Sequence, residues 1–183
     1  MVGGPNGAGK STAAPALLRE ALAVSEFVNA DLIARGLSGF DPGGSAMSAG
    51  RVMLARLKEL ASRKRDFAFE TTMASRSFAP WLRGLMVEGY LLHLVFLWLS
   101  SPEMAVARVS ARVRDGGHDV PEETIRRRYS RGIRNFLHLY RPMATTWRVY
   151  DNSSVQGPRL VARGRAGSEE EVLLEDQWQR IRG

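Results

Sequence analysis

Gly4-Pro5-Asn6-Gly7-Ala8-Gly9-Lys10-Ser11, followed by Thr12 and a helix-forming stretch, is the segment that decides the fold. Its glycines let the backbone turn so tightly that successive N–H groups point at one centre, and the helix beyond them adds the positive end of its dipole. The last two positions bring an ammonium and a hydroxyl to the same place. This is a complete Walker A pattern, so Gly4, Pro5, Asn6, Gly7, Ala8, Gly9, Lys10, Ser11 and Thr12 are expected to cradle the phosphates of ATP or GTP. Lys10 would reach the β- and γ-phosphates, and the Ser11 hydroxyl would bind Mg²⁺.

Such a loop sits between a strand and a helix, and the rest of the chain repeats that alternation. Strands read over Met1 to Gly3, Glu26 to Asn29, Asp66 to Glu70, Leu91 to Leu99, Trp147 to Tyr150 and Arg159 to Ala162. Helices read over Ser11 to Val24, Ser45 to Arg63, Phe78 to Val87, Pro102 to Arg114, Pro121 to Tyr140 and Glu169 to Ile181. In the second of these, Gly50, Met53, Leu54, Leu57, Leu60 and Ala61 follow helical spacing and give one core face. The order predicts a three-layer α/β/α P-loop NTPase fold of the nucleotide-kinase kind, with a mainly parallel sheet. Only Met1 and Val2 precede the glycines, so the first strand is largely truncated against the roughly five or six residues of a typical strand. The stretch Gly157 to Ser168 reads as the most mobile.

Composition narrows the possibilities. With 183 residues and 44% apolar content, one domain is expected. Cysteine is absent, which removes disulfides, thiolate metal sites and a cysteine nucleophile, and fits a cytoplasmic setting. The longest apolar run, Tyr90 to Leu99, is half the roughly twenty residues of a membrane span and reads as a buried strand containing His93.

The net charge is +7, and between Arg108 and Arg148 ten arginines face four acids. Arginine suits planar, bidentate grip on phosphate. The segment from about 103 to 141 therefore reads as a lid over a polyphosphate in preference to a nucleic-acid surface. Arg108 and Arg112 are four apart and share a helical face. On the next helix, 100° steps place Ile125, Tyr129, Ile133, Phe136 and Tyr140 on an apolar side, with Arg127, Arg131, Arg134 and His138 opposite. Arg128 falls at the border, where its stem is anchored and its guanidinium stays available. The outward arginines read as a solvated face.

Two carboxylates end strands on the side where an α/β sheet binds ligands. Asp31, in Phe27-Val28-Asn29-Ala30-Asp31, stands where small-molecule kinases keep the group that deprotonates an acceptor hydroxyl; it also reads as a helix cap for Leu32 onward. Glu70 closes Phe67-Ala68-Phe69-Glu70-Thr71-Thr72, placed to hold the acceptor or a water on Mg²⁺, or to cap the next segment. Thr71, Thr72 and Arg76 come next and are placed to contact substrate. A guanine-specific Asn-Lys-x-Asp and an ABC signature are both absent; Asp41-Pro42-Gly43-Gly44 follows no strand and reads as a turn. His118 sits in a hinge-like turn, and no histidine spacing suggests a metal site beyond the nucleotide's Mg²⁺.

Taken in order, the P-loop, Val28-Asn29-Ala30-Asp31, Phe69-Glu70-Thr71-Thr72, Gly116-Gly117-His118-Asp119-Val120-Pro121, Arg126-Arg127-Arg128-Tyr129 and Tyr150-Asp151-Asn152-Ser153 resemble the zeta toxin family of P-loop kinases, in its short bacterial branch. The resemblance runs from about residue 3 to residue 163. It implies transfer of a γ-phosphate from ATP or GTP to a sugar hydroxyl of UDP-N-acetylglucosamine or a related UDP-sugar. It also implies Lys10 and Ser11 on nucleotide and Mg²⁺, Asp31 as the base, Glu70 on the sugar, and a small helical antitoxin as partner. Larger members carry an arginine near the position of His118. The lid segment also looks like that of nucleoside monophosphate kinases, whose arginines, spaced like Arg108, Arg112 and Arg128, grip the transferred phosphate. Two alternatives stay open: a kinase of another small acceptor, such as a nucleotide or nicotinamide cofactor, and a non-catalytic nucleotide-binding switch.

Overall fold

A computed structural model describes residues 1–22, 24–38, 44–117, 119–166, 168 and 170–183. Seven strands form one mixed sheet in the order β2-β3-β1-β4-β5-β6-β7. Strand β1 (Val2–Gly3) lies between β3 (Phe67–Thr71) and β4 (His93–Trp98), parallel to both, with Val2 opposite Glu70 on one side and Val95 on the other. Strand β2 (Glu26–Val28) flanks β3, and β5 (Thr146–Asp151) flanks β4, again in parallel. The last two strands, β6 (Arg159–Arg165) and β7 (Glu171–Val172), add antiparallel. This is the expected α/β P-loop NTPase fold. Although β1 has only two residues, Val2 is fully buried and the strand is hydrogen-bonded on both sides.

The helices are α1 (Lys10–Leu22), α2 (Ala30–Leu37), α3 (Ala46–Ser62), α4 (Phe78–Val87), α5 (Pro102–Arg114), α6 (Glu122–Asn135) and α7 (Glu175–Arg182). Helix α5 starts where its sequence says it should: Ser101 Oγ accepts from the Met104 N–H and Pro102 takes the first turn, where its missing N–H costs nothing. Helix α6 turns Ile125 and Tyr129 into the core and leaves Arg127, Arg131 and Arg134 outside, as the 100° steps predict.

Four expectations are corrected. Helix α2 begins at Ala30 and is capped by Asn29, not by the Asp31 that reads as a cap for Leu32 onward. On α3 the buried stripe is Ala49, Met53, Leu57, Leu60 and Ala61; Leu54 lies about 100° from its centre and is exposed. The last helix begins at Glu175, not Glu169, because Glu171 and Val172 find the open edge of β6, and tertiary pairing overrides a weak helix preference. The same pairing makes most of Gly157 to Ser168 an ordered strand, held between β5 and β7.

Past Asn135 the helix widens into a π-helical turn, Phe136–Tyr140, that buries Phe136, Leu137 and Tyr140. There Phe136 stacks on Phe96 with ring centres 4.4 Å apart. Asp41 to Gly43 and His118 lie outside the described residues. Among the described residues no helix is long and apolar enough to cross a membrane.

Candidate active site

The P-loop bends between β1 and α1 on three glycines with positive φ: Gly4 (146°), Gly7 (76°) and Gly9 (74°). Space forbids side chains there as firmly as conformation does. A Cβ on Gly4 would strike the Leu97 carbonyl, and one on Gly7 would lie 2.9 Å from the Ala105 carbonyl. The loop is thus wedged between β4 and α5. Lys10 is folded back over it, its Nζ donating to the Pro5 carbonyl at 2.9 Å.

Asn29 organises the floor of the site, and sequence reasoning passed it over. Its Oδ1 accepts from the Asp31 and Leu32 N–H groups at 2.8 and 3.2 Å, so Asn29 is the N-cap of α2. Its Nδ2 donates to Ser11 Oγ at 3.0 Å and to Glu70 Oε2 at 2.8 Å. A carboxylate on one side and two N–H groups on the other fix the orientation of the amide. Ser11 Oγ donates to the same Glu70 oxygen at 2.8 Å, and the other Glu70 oxygen lies 3.8 Å from Lys10 Nζ. Lysine, serine, asparagine and glutamate from three separate segments thereby form one network.

Because Asn29 takes the cap, Asp31 is not the cap, and its carboxylate is left open to the cleft at 53% exposure. Arg112 of α5 approaches it, with Nη1 3.9 Å from Asp31 Oδ2. Arg128, half-buried on α6, completes the ring; burial first, then Arg127, push its guanidinium below the usual value, while Asp31 pulls it back up. Lys10 feels them all. Its ammonium is pushed below the ordinary lysine value chiefly by burial, with Glu70 and Asp31 opposing that shift and Arg112 and Arg128 adding to it.

The cleft has a volume of about 570 Å³. It gathers Asn6, Gly7, Gly9, Lys10, Ser11, Thr12, Asp31, Glu70, Thr71, Thr72, Arg108, Arg112 and Arg128 from the residues singled out in the sequence. Gly4, Pro5 and Ala8 form the buried back of the loop. Arg76 does not line the cleft: it lies on the far side of the loop after β3 and faces a different concavity. The reason is Met73, which follows β3 in the left-handed region at φ 56° and turns the chain away after Thr72. A second overlooked residue is Asn152, whose Nδ2 donates to the Ala8 carbonyl at 2.8 Å, while Arg108 Nη2 donates to the neighbouring Ser153 carbonyl at 3.0 Å. Asparagine just before a helix is a readable cap signal, so Asn29 was within reach; Asn152 has no local signal, because its partner is 144 residues away.

Comparison with known proteins agrees with the fold. Residues 1–131 match the family model AAA_33, described as an AAA domain. An uncharacterized protein of Haemophilus influenzae strain Rd is 29% identical over 128 residues, 69% of this chain and 88% of its own length. Among solved structures, a chain of the AvrRxo1-ORF1:-ORF2 complex crystallised with ATP superposes with a TM-score of 0.75 at 15% identity; the alignment covers 98% of this chain and 61% of that one. The PezAT chromosomal toxin-antitoxin system of Streptococcus pneumoniae gives 0.65 at 16% identity, over 88% of this chain and 69% of the matched one. At these identities the likeness is one of fold, and the present chain spans less than two thirds of the AvrRxo1 chain.

Proposed function

Because the chain belongs to the AAA domain family, we propose that it is a kinase of the zeta toxin kind, moving the γ-phosphoryl group of ATP or GTP to a sugar hydroxyl of UDP-N-acetylglucosamine or a related UDP-sugar. One observation carries the reading: Asp31 is released from capping duty by Asn29 and opens into the same cleft as Lys10, Glu70, Arg112 and Arg128. A switch that only binds nucleotide has no use for an open carboxylate at that position.

In this reading the N–H groups of the P-loop and Lys10 hold the polyphosphate, and Arg108, Arg112 and Arg128 neutralise charge on the group in transit. Asp31 takes the proton from the acceptor hydroxyl as its oxygen forms the new bond to phosphorus. The bond from phosphorus to the bridging oxygen breaks, and the electron pair leaves with the nucleoside diphosphate. Glu70, Thr71 and Thr72 hold the sugar.

The residues fit Mg²⁺. Ser11 Oγ and a Glu70 carboxylate oxygen stand 2.8 Å apart, both hard oxygen donors. Among the described residues no cluster of three or more His, Cys, Asp or Glu could build a full protein cage, which suits an ion that takes most of its ligands from phosphate and water. Ser11, with Glu70 beside it, would hold the ion, which when bound would supply charge neutralisation for the transferred phosphoryl group. A small helical antitoxin is the protein partner expected on this reading.

Mass spectrometry of products tests it. The protein is incubated with ATP or GTP, Mg²⁺ and a panel of UDP-sugars, nucleotides and nicotinamide cofactors. A phosphorylated UDP-sugar is expected; nucleotide hydrolysis with no phosphorylated acceptor, or phosphate appearing only on a nucleotide or nicotinamide cofactor, defeats the proposal.

A further inference from the structure

A second concavity, of about 450 Å³, lies beyond the loop after β3. Arg76 lines it from that loop; Arg131, Arg134 and His138 line it from α6 and the π-helical turn. Among the described residues no carboxylate contributes to its wall. Some surface arginines are matched with acids, Arg56 with Glu26 and Glu59, Arg126 with Glu103 and Glu122, Arg163 with Glu171, while others such as Arg51, Arg83 and Arg148 form no ion pair among the described residues; what sets this pocket apart is that its arginines share one hollow. Among the described residues Arg76, Arg131 and Arg134 form no ion pair and no side-chain hydrogen bond. Three unmatched guanidiniums around one hollow repel each other unless an anion joins them.

The wall between this pocket and the cleft is built firmly. Asn135 Nδ2 donates to the Met73 and Ala74 carbonyls at 2.8 and 3.2 Å, and the Tyr140 hydroxyl donates to the Ser75 carbonyl at 2.7 Å. Gly132 lets α6 come so close to Thr72 that a Cβ would lie 2.6 Å from its carbonyl oxygen. Thr71 and Thr72 face the cleft, and Arg76, a few residues on, faces the pocket. Along α6 the cations continue from one to the other: at 1.5 Å per residue, Arg131 and Arg134 lie about 4.5 and 9 Å further along the axis than Arg128, which lines the cleft.

We propose that this pocket binds a phosphate or diphosphate group at the far end of the acceptor, so that the acceptor is recognised at two places: its hydroxyl in the cleft and its anion beyond the loop. The proposal rests on the kinase reading and deepens it by naming the residues, Arg76, Arg131 and Arg134, that would hold the acceptor's phosphate. Arginine forks match phosphate oxygens two at a time, which a solvated face does not require.

Two measurements test it separately from the kinase reading. In steady-state assays, the double change Arg131→Ala and Arg134→Ala should raise KM for UDP-N-acetylglucosamine at least tenfold. The kcat and the KM for ATP should stay within about twofold, and turnover of uncharged N-acetylglucosamine should not change. An unaltered KM for the charged acceptor overturns the proposal. In calorimetric titration with inorganic pyrophosphate, the wild-type protein saturated with ADP should show one site that the double variant lacks; a site that survives the two substitutions, or none in the wild type, overturns it equally. If no UDP-sugar is phosphorylated at all, the kinase reading falls while the titration still decides the pocket. Both residues are exposed, so the variants are expected to fold normally.

Discussion

Asn152 fastens the P-loop from the opposite end of the chain: its Nδ2 donates to the Ala8 carbonyl at 2.8 Å, and a Cβ on Gly9 would lie the same distance from that nitrogen. Asn152 stands just beyond β5, where its own N–H donates to the Trp98 carbonyl, so the parallel sheet holds the loop through this one amide. Asn152→Ala should lower stability by about 1 kcal/mol and weaken ADP binding roughly fivefold to tenfold. Gly9→Ala should do worse, since φ of 74° and the Asn152 amide both oppose the methyl group. Thermal melts and ADP titration check both, and unchanged affinity in Asn152→Ala removes the idea that this amide shapes the loop.

Asn29 performs two tasks that substitution can part. Asn29→Ala loses the α2 cap and the bridge to Glu70 together, and should cost about 1 to 2 kcal/mol. Asn29→Ser keeps a capping oxygen but has no amide to reach Glu70. It should recover most of the stability while both variants lose turnover alike, by about tenfold. Equal stability in the two variants would show that the cap matters little.

Asp31→Asn should reduce phosphotransfer by a factor of about 10² to 10⁴, the range for removal of a general base. Nucleotide affinity should stay within about twofold, and the fold should not suffer, because Asn29 and not Asp31 caps the helix. Near-normal turnover in this variant would mean that another group takes the proton.

Burial pushes the Tyr140 hydroxyl up to about 12 from an ordinary 10.0. A phenol raised in this way binds its proton more tightly in the folded protein than in the unfolded chain. Its contribution to stability is therefore complete below pH 10 and is lost as the pH climbs from 10 towards 12, by about 3 kcal/mol at most. Tyr140→Phe should flatten that part of the alkaline decline, as read by urea unfolding at pH 9, 10 and 11. The same substitution frees the Ser75 carbonyl, so its cost at pH 9 reports that hydrogen bond separately.

Much of this was legible because the signals were local. The P-loop pattern, the proline and serine that start α5, and the 100° steps that place Arg128 at the border of α6 each depend on residues within two or three turns, and each agrees with the structure in position. What escaped depends on distant partners. Glu171 and Val172 become strand only because β6 offers an edge, and Arg76 leaves the cleft because Met73 turns left-handed behind Thr72. Asn29 was a half-miss: it was quoted in the motif, yet the capping role went to Asp31, two residues too late.

The wide turn at Phe136–Tyr140 can be understood as an α-helix that has accommodated one additional amino acid without breaking. Deleting a single residue there would rewind it as ordinary helix and rotate the downstream chain by about 100°, carrying Tyr140 away from Ser75. Arg128, upstream of the change, would keep its post beside Asp31. A one-residue gap at this point in an alignment of relatives would therefore single out chains in which His138 and Tyr140 have shifted while Arg131, Arg134 and the phosphate loop with its partners persist.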